Sequence, residues 1–480
     1  MLLVASGTFV FAQNSTDRDM VAKIRAEGLG NSQVSPVFET LTIDIGPRLT
    51  GSPALKRALD FARERLVSYA MDNVHLEPWK FGRGWTLDRL TVEMAEPRYM
   101  PLLGYAEAWS PSTAGEIVAT PVFVGDKTPE QLQTMGAAMK GAIVMIQPVQ
   151  TAFVRQDRPQ PTEPGAPALD VLSPSALFGA TEQSRRIATL VRQSGAGVML
   201  RPNVLGDGTV YVTGRDEGPN GVPSIVLSSE HYNMLARMLD HHLPVKLRVD
   251  VQSKFYENDT NAYNLIAEIP GADPALRNQV VMLGAHIDSW HTAVGATDNA
   301  DGVATVLEAM RILKAVGARP RRTIRVAVWS GEEQGLLGSK AWVAQHLAGE
   351  ANREARENLS VYFNIDNGTG PIYGFALENN EPAQPILDAW LEPFKDFGAR
   401  KNVNLRLTNT DHQSFLAVGV PAFNPFQDYR DYDVRTHHTN MDTVEHVNPA
   451  DIRQAAIVMA SFAYHAAMRE GKFPRSVGSR

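Results

Sequence analysis

The sequence predicts an α/β fold, in which a mixed, mainly parallel sheet has helices on both faces and a β-rich module is inserted in the same chain. Beyond residue 263, apolar β-branched runs alternate with helical patterns, as in parallel strands joined by helical crossovers. Between residues 112 and 252, short β-type runs dominate and a single helical pattern, 182–194, occurs. A chain of 480 residues also exceeds one hydrophobic core and indicates two or three domains.

The amino-terminal elements come before this alternation. Residues 18–40 have a helical pattern, and 54–71 predict an amphipathic helix that follows a turn-rich stretch. Apolar runs at 74–79 and 90–94 predict two strands. We expect both strands in the sheet whose central strand ends at His286.

The carboxyl-terminal half supplies the alternating elements. Strands are expected at 279–285, 323–329, 359–365, 403–408 and 421–425. Helices are expected at 300–316, 336–347, 382–398 and 449–469. In such folds the functional groups gather outside the carboxyl ends of the strands, so candidate site residues are expected there.

Composition and charge exclude several classes of protein. Hydrophobic residues make up 44% of the chain and charged residues 21%, which is typical of a globular protein. A net charge of −7 gives no reason to expect nucleic acid or an anionic membrane as a partner. The chain has no cysteine, so a metal site must use His, Asp and Glu. It also has no apolar run long enough to span a membrane.

The first residues indicate export. Residues 1–12 are apolar and end Val10-Phe11-Ala12 before a polar stretch, which resembles a signal peptide with its cleavage site. The basic segment that normally precedes such a run is missing, as expected if the signal peptide is truncated and the true start lies upstream. A frayed apolar terminus is the alternative. Export predicts a secreted or periplasmic protein.

These patterns divide the chain into four parts. They are a signal segment at 1–12, an amino-terminal part of the main domain at 18–111, the inserted module at 112–252, and the main part of that domain at 253–475. The module contains no cluster of convergent ligands. We expect it to act as a lid or a spacer.

The first candidate site lies where the run 278–286 ends. Side chains two apart on a strand share a face, so His286 and Asp288 leave the strand on the same side. The imidazole is a candidate metal ligand, and the Asp288 carboxylate a candidate partner for its second nitrogen. Asp298 follows near a predicted helix start, where negative charge is favoured. A solvated loop at a strand end has the same composition, so this stretch alone leaves both interpretations open.

Later strand ends and loops carry similar groups. Glu332 and Glu333 follow a predicted strand and are flanked by glycines, so their carboxylates can point in different directions. Asp366 directly follows another predicted strand, and His437 and His438 precede the last predicted helix. Taken singly, the two glutamates are better explained as a solvated acidic turn, and each histidine is also explained as a surface residue.

Together these residues predict a binuclear metal centre. The ligand set contains two histidines and three carboxylates: His286, Asp298, Glu333, Asp366 and His438. If Asp298 bridges, each of two ions receives one histidine and one terminal carboxylate. Glu332 is then left as a general base toward the attacking water. Nitrogen and oxygen donors without thiolate suit Zn²⁺, with Mn²⁺ and Co²⁺ as alternatives.

The motifs around these residues resemble those of a known family. They are His286-x-Asp288, Thr297-Asp298-Asn299…Gly302, Gly331-Glu332-Glu333, Asn364-x-Asp366 and His438-Thr-x-x-Asp442-Thr443. As a set they are similar to the signatures of the di-zinc aminopeptidases, a family that includes plasma glutamate carboxypeptidase. Stretches 46–52 and 410–421 are also similar to that branch, which carries a protease-associated domain inserted in its peptidase domain, as 112–252 is inserted here.

The resemblance implies a role for each residue. His286 and Asp366 would bind one zinc ion, Glu333 and His438 the other, and Asp298 both. Asp288 would orient His286, and Glu332 would be the base. At the position of His437 many relatives have a tyrosine that stabilises the tetrahedral intermediate, and a histidine can donate the same hydrogen bond.

The implied activity is that of a di-zinc metallo-exopeptidase. Such an enzyme hydrolyses peptide bonds near a free terminus of short peptides, as an aminopeptidase, dipeptidase or carboxypeptidase. Two alternatives share the fold: glutaminyl cyclases, which are single-zinc acyltransferases, and transferrin receptor ectodomains, which are non-catalytic scaffolds. A sugar- or lipid-amide hydrolase is also compatible with the metal chemistry. Dimers are common among the relatives, so a homodimer is one expected state.

Overall fold

A computed structural model describes residues 16–166, 171–172, 182–366 and 368–476. The signal segment predicted at 1–12 lies outside these described residues. Within them, no helix combines the length and the apolar character needed to cross a membrane.

The strands and helices follow one another along the whole described chain. The strands are β1 Asp72–Lys80, β2 Gly84–Glu96, β3 Met100–Pro101, β4 Gly104–Ala106, β5 Ile117–Ala119, β6 Val122–Phe123, β7 Ile143–Met145, β8 Val171–Leu172, β9 Val198–Pro202, β10 Ser224–Leu227, β11 Lys246–Tyr256, β12 Asn261–Ile269, β13 Val280–His286, β14 Thr323–Trp329, β15 Leu359–Asn364, β16 Gly374–Phe375, β17 Arg406–Leu407, β18 Ala422–Phe423 and β19 Pro425–Phe426. The α-helices are α1 Arg18–Gly30, α2 Val34–Glu39, α3 Pro53–Ser68, α4 Pro129–Thr134, α5 Gly136–Met139, α6 Glu182–Gln193, α7 Ser229–Asp240, α8 Asp301–Ala315, α9 Leu337–His346, α10 Arg353–Asn358, α11 Gln384–Leu391, α12 His412–Leu416 and α13 Pro449–Met468.

The central sheet has six strands in the order β1-β12-β14-β13-β15-β18. The pairs β1–β12 and β12–β14 are antiparallel, whereas β14–β13, β13–β15 and β15–β18 are parallel. The prediction of a mixed, mainly parallel sheet is confirmed.

Helices cover both faces of this sheet. Successive residues of a strand point to opposite faces, and in β13 Leu283 packs in the core beneath α8 and α13, whereas Met282 packs in another core. That second core includes Trp342 of α9 and Phe415 of α12. With both faces covered, the central strands are mainly apolar, as the sequence pattern requires.

Two smaller sheets form a second body. One has the order β4-β10-β9-β7-β6 and the other β3-β2-β11-β5, and they share a hydrophobic core. Strands β2 to β4 come from residues 84–106, ahead of the predicted module 112–252, so that boundary stays a prediction.

Several elements differ from the sequence prediction. Only one helix, 182–194, was expected in the module 112–252, but α4, α5 and α7 lie there as well. The strand expected at 90–94 is part of β2 and pairs along its length with β11, so its assignment to the sheet of His286 was wrong. Of the strand expected at 403–408, only β17 is formed, and it pairs with β8 outside the central sheet. The helix expected at 382–398 ends as α11 at Leu391 and continues as a 3₁₀ turn, Glu392–Phe397.

Candidate metal centre

Strand β13 brings His286 to the carboxyl edge of the central sheet. The strand is buried from Val281 onward, and its register pairs His286 with Trp329 of β14 and Gly284 with Asn364 of β15. The ends of three parallel strands therefore lie side by side. Functional groups were expected at this edge.

The turn after β14 separates the two glutamates that follow it. Gly331 has a φ of +73°, in the left-handed region, and a Cβ there would lie 2.6 Å from the Trp79 ring, so only glycine fits. The turn directs Glu332 toward the histidine of β13 and Glu333 toward the histidine of the late loop.

The loop before α8 carries Asp298 and is held from two sides. The Thr297 amide donates to the Asp442 carboxylate at 2.6 Å, and the Asn299 side-chain amide donates to the Ile365 carbonyl at 2.9 Å. The Asp298–Asn299 peptide bond is cis. The two hydrogen bonds, from Thr297 and from Asn299, fix the Asp298 carboxylate between the ends of β13 and β15.

Asp298 lies between two histidines, and each histidine also contacts a second carboxylate. His286 Nε2 is 3.1 Å from Asp298 Oδ1 and 3.4 Å from Asp366 Oδ1. His438 Nε2 is 3.2 Å from Asp298 Oδ2 and 2.8 Å from Glu333 Oε2. The five predicted ligands thus converge in two groups that share one aspartate.

Asp288 is buried directly behind this cluster. Its carboxylate accepts hydrogen bonds from the Thr50 hydroxyl at 2.9 Å and from the amides of Glu332 and Glu333 at 3.3 Å. The nearest partner of His286 Nδ1 is the Asp288 main-chain carbonyl at 3.0 Å, whereas carboxylate Oδ1 is 3.6 Å away. The carboxylate thus fixes the glutamate turn, and its predicted role in orienting His286 stays a prediction.

His437 stacks on His438, with ring centroids 3.8 Å apart and an interplanar angle of 28°. A ring nitrogen of each lies within 4.8 Å of an Asp298 oxygen. Burial, with a smaller contribution from the His438 charge, lowers the pKa of His437 well below its ordinary value. The ring is therefore neutral near pH 7 and carries one N–H donor. The predicted oxyanion-stabilising role of His437 stays a prediction.

The cluster holds more carboxylate than its histidines balance. Burial raises the pKa of Glu332 well above its ordinary value, and nearby Asp366 and Asp411 raise it further. Burial and the neighbouring Asp298 raise the pKa of Glu333 to about 7. A cation bound among these groups would compensate their negative charge and favour the ionised carboxylates.

The donor set fits zinc. His286 Nε2 and both carboxylate oxygens of Glu333 are buried and make no hydrogen bond to any described residue. Nitrogen and oxygen donors of this kind are typical of catalytic zinc, and the chain offers no thiolate. The buried ligand atoms, among which His286 Nε2 and Glu333 Oε2 face other residues of the cluster, thus meet the requirements of a metal site.

The cluster forms part of the wall of a cavity of about 640 Å³. Apolar side chains, among them Leu336, Val343 and Val418, line other parts of it, together with Tyr432 and Arg158. Both the size and the mixture of apolar and polar groups are typical of a pocket for a small ligand.

Arg48 is a supporting residue that sequence reasoning missed. Its buried guanidinium donates to five main-chain carbonyls, those of Leu41, Gly46, Ile287, Val294 and Gly295. It thereby ties the amino-terminal segment to the loop that follows β13. The stretch 46–52 was noted only for its resemblance, which carried no role for this arginine.

Asp411 was missed as well. It lies at the start of α12, is 1% exposed, and burial raises its pKa to about 7. Its charge acts on the Glu332 carboxylate. A lone aspartate in a turn gives no local signal of burial beside a metal site.

The fold and the site together define a metal-dependent hydrolase, with its ligands at the carboxyl edge of a mainly parallel sheet. The model of the family described as "Peptidase family M28" matches residues 264–463. Carboxypeptidase Q from Bos taurus is 28% identical over 439 residues, covering 90% of this chain and 84% of its own.

Solved structures agree with this likeness. A peptidase M28 precursor from Shewanella amazonensis superimposes with a TM-score of 0.74 at 27% identity, covering 95% of this chain and 98% of its own. The zinc aminopeptidase BSAP from Bacillus subtilis, at 18% identity, shares the fold with a TM-score of 0.61 and coverages of 92% and 97%.

Over residues 264–463 the chain is similar to peptidase family M28, and relatives named as peptidases match most of its length. The predicted family resemblance and the predicted enzyme class, a metallo-exopeptidase, are confirmed. The glutaminyl cyclase and transferrin receptor alternatives are not favoured, because these matches are to peptidases.

Proposed function

We propose that the enzyme uses two zinc ions to hydrolyse peptide bonds next to a free terminus of short peptides. His286 and Asp366 would hold one ion, Glu333 and His438 would hold the other, and Asp298 would serve both. The position of Asp298, with one carboxylate oxygen 3.1 Å from His286 Nε2 and the other 3.2 Å from His438 Nε2, carries this proposal. Two ions are favoured because a single cation leaves most of the buried carboxylates uncompensated.

Glu332 acts as the general base. Its carboxylate lies within 4.8 Å of ligand atoms of His286 and Asp366. When bound, the zinc ions polarise the scissile carbonyl and make the attacking water more acidic. Glu332 takes a proton from that water and delivers it to the leaving amine as the C–N bond breaks.

Two further residues support this reaction. Asp288 holds the amides of Glu332 and Glu333 and so orients both carboxylates, in addition to fixing the neighbourhood of His286. His437, neutral and stacked on His438, donates a hydrogen bond to the oxyanion of the tetrahedral intermediate.

Short peptides are the proposed substrates. A cavity of about 640 Å³ has room for a small peptide and not for a folded chain. The carboxypeptidase and aminopeptidase names of the relatives leave both termini as candidates. The proposal further includes export to the periplasm or medium, a protease-associated domain at 112–252, and a homodimer as the assembled state.

A cleavage profile with metal counting tests the proposal. Unblocked dipeptides, their N-acetylated forms and their carboxyl-terminal amides are incubated with the enzyme before and after chelation. We expect two zinc equivalents per chain, hydrolysis of unblocked dipeptides, loss of activity on chelation and recovery with zinc. The blocked series that fails identifies the recognised terminus.

Other outcomes would contradict specific parts. One zinc equivalent with cyclisation of amino-terminal glutamine would restore the cyclase alternative. Two equivalents with no hydrolysis of any peptide would indicate a scaffold. Full activity after complete removal of metal would rule out the proposed chemistry.

A further inference from the structure

The loop that carries His437 and His438, residues 431–440, is held by residues far from it in sequence. Its partners are Asp157, Arg158 and the segment 208–212, all within the predicted inserted module. These contacts hold the loop of His438, and His286 lies in a different part of the chain.

Asp157 fixes the start of this loop. Its carboxylate accepts hydrogen bonds from the amides of Asp431 at 2.7 Å, Asp433 at 2.8 Å and Val434 at 3.2 Å. A carboxylate that receives three main-chain amides determines the path of the backbone between them.

Arg158 adds a buried ion pair next to these bonds. Its main-chain amide and its Nε each donate to Asp433 Oδ2 at 2.8 Å, and Nη2 pairs with the other carboxylate oxygen. The guanidinium also lies over the rings of Tyr429 and Tyr432, at 4.9 and 5.7 Å from their centroids. Breaking a buried pair of this kind leaves an uncompensated charge, so the pair fixes its geometry firmly.

The segment 208–212 holds the other end of the loop. The Val212 amide donates to the His438 carbonyl at 2.9 Å, and the Asn440 amide donates to the Val210 carbonyl at 3.2 Å. The Val210 amide in turn donates to the Asn440 side-chain oxygen at 2.7 Å. A short two-chain ladder therefore joins the module to the residues on both sides of His438.

Tyr211 lies in the middle of this ladder and contacts the imidazole itself. Its hydroxyl oxygen is 3.3 Å from His438 Nδ1, and the two ring centroids are 5.5 Å apart. When Nε2 binds a metal, Nδ1 carries the proton and donates it to an acceptor that fixes the ring. The Tyr211 hydroxyl oxygen is in position to be that acceptor.

The backbone of His438 needs this support. Its φ of +58° lies in the left-handed region, which is unfavourable for a residue with a Cβ, and Asp431 has a φ of +61°. Such conformations persist where surrounding bonds over-determine them. The bonds described above come from the module on both sides of these residues.

The other half of the centre has different support. His286 is the last residue of β13, and its Nδ1 contacts the Asp288 carbonyl in the same loop. Asp366 follows β15 two residues after that strand ends. Both ligands are therefore set by the central sheet.

We propose that the segments 157–158 and 208–212 position His438, and that Tyr211 is the positioning residue that accepts the hydrogen bond from its Nδ1. The inserted module thus completes the zinc site of Glu333 and His438, whereas His286 and Asp366 of the other site are placed by the ends of the central strands. This inference rests on the proposed two-ion function.

The test measures zinc affinity in full-length Tyr211→Phe. Both equivalents are titrated in competition with a zinc-chelating indicator, and kcat and KM are measured on an unblocked dipeptide. We expect one equivalent to weaken by about 10- to 100-fold while the other is unchanged, as for loss of the partner of a metal-bound histidine. At saturating zinc, kcat should recover. The control is Tyr256→Phe, whose hydroxyl contacts Thr86 in the same body.

A second variant tests the same inference in case Tyr211→Phe does not fold. Asp157→Asn keeps an acceptor oxygen but weakens the bonds to three amides, so it should weaken the same equivalent. The inference is overturned if both variants bind both equivalents like the wild type, or if they weaken the two equally. A wild type with a single equivalent would instead contradict the proposed function, and Tyr211→Phe would then test whether that one ion depends on Tyr211.

Discussion

Replacing Glu332 with glutamine is expected to remove the base while both zinc ions stay bound. The side chain lies beside His286 and Asp366, and the ligand set is complete without it. Glutamine has the same shape, and the main-chain amide at this position still donates to Asp288. The variant therefore loses proton transfer and little else.

The size of the effect follows from what the base supplies. General acid–base catalysis contributes about 10²- to 10⁴-fold to the rate. At 1.36 kcal/mol for each factor of ten, this corresponds to a barrier higher by about 3–5 kcal/mol. Glutamine cannot accept the proton, so kcat should fall by a factor in this range.

The assay combines turnover of an unblocked dipeptide with zinc content after dialysis. Glu333→Gln is the matched control, because its carboxylate lies 2.8 Å from His438 Nε2 and the variant should lose zinc along with activity. A Glu332→Gln enzyme with two zinc ions and near-normal turnover would refute the role of Glu332. Loss of zinc from this variant would show that Glu332 is a ligand instead.

Two other predictions concern stability. A Cβ at Gly284 would collide with the Tyr362 hydroxyl, so Gly284→Ala should lower the free energy of unfolding by about 1–3 kcal/mol in a denaturant titration. Gly30 has open space around it, so Gly30→Ala should have little effect in the same titration. Burial lowers the pKa of His291 to about 4, so between pH 6.5 and 4 the unfolded chain binds a proton that the folded chain does not. The free energy of unfolding should therefore fall by about 3 kcal/mol between pH 6.5 and 4 because of this residue. In His291→Gln the same measurement should lack that decrease.

The sequence predicted best those elements whose pattern is set by local burial. The strand expected at 279–285 is β13, shifted by one residue, because both faces of it are covered and the whole run must be apolar. The helix expected at 300–316 is α8, Asp301–Ala315. Pairing partners are decided by long-range contacts, and for that reason the run 90–94 was assigned to the wrong sheet.

The same distinction applies to the site. His286, Asp298 and Asp366 follow strands or precede a helix, so their convergence follows from the rule for parallel strand ends. The partners of the late loop could not be predicted. Asp157 and Tyr211 lie more than two hundred residues before it, in segments without a ligand motif, and only the folded chain brings them to His438.

The guanidinium of Arg48 limits how far the chain can be shortened from its amino terminus. The matched family region, 264–463, begins more than two hundred residues after this arginine. A fragment restricted to that region would leave the carbonyls of Ile287, Val294 and Gly295 without their donor, and would also strip away the edge strand β1. The recognisable peptidase segment therefore lacks contacts that hold the loop before Asp298 and one edge of the central sheet.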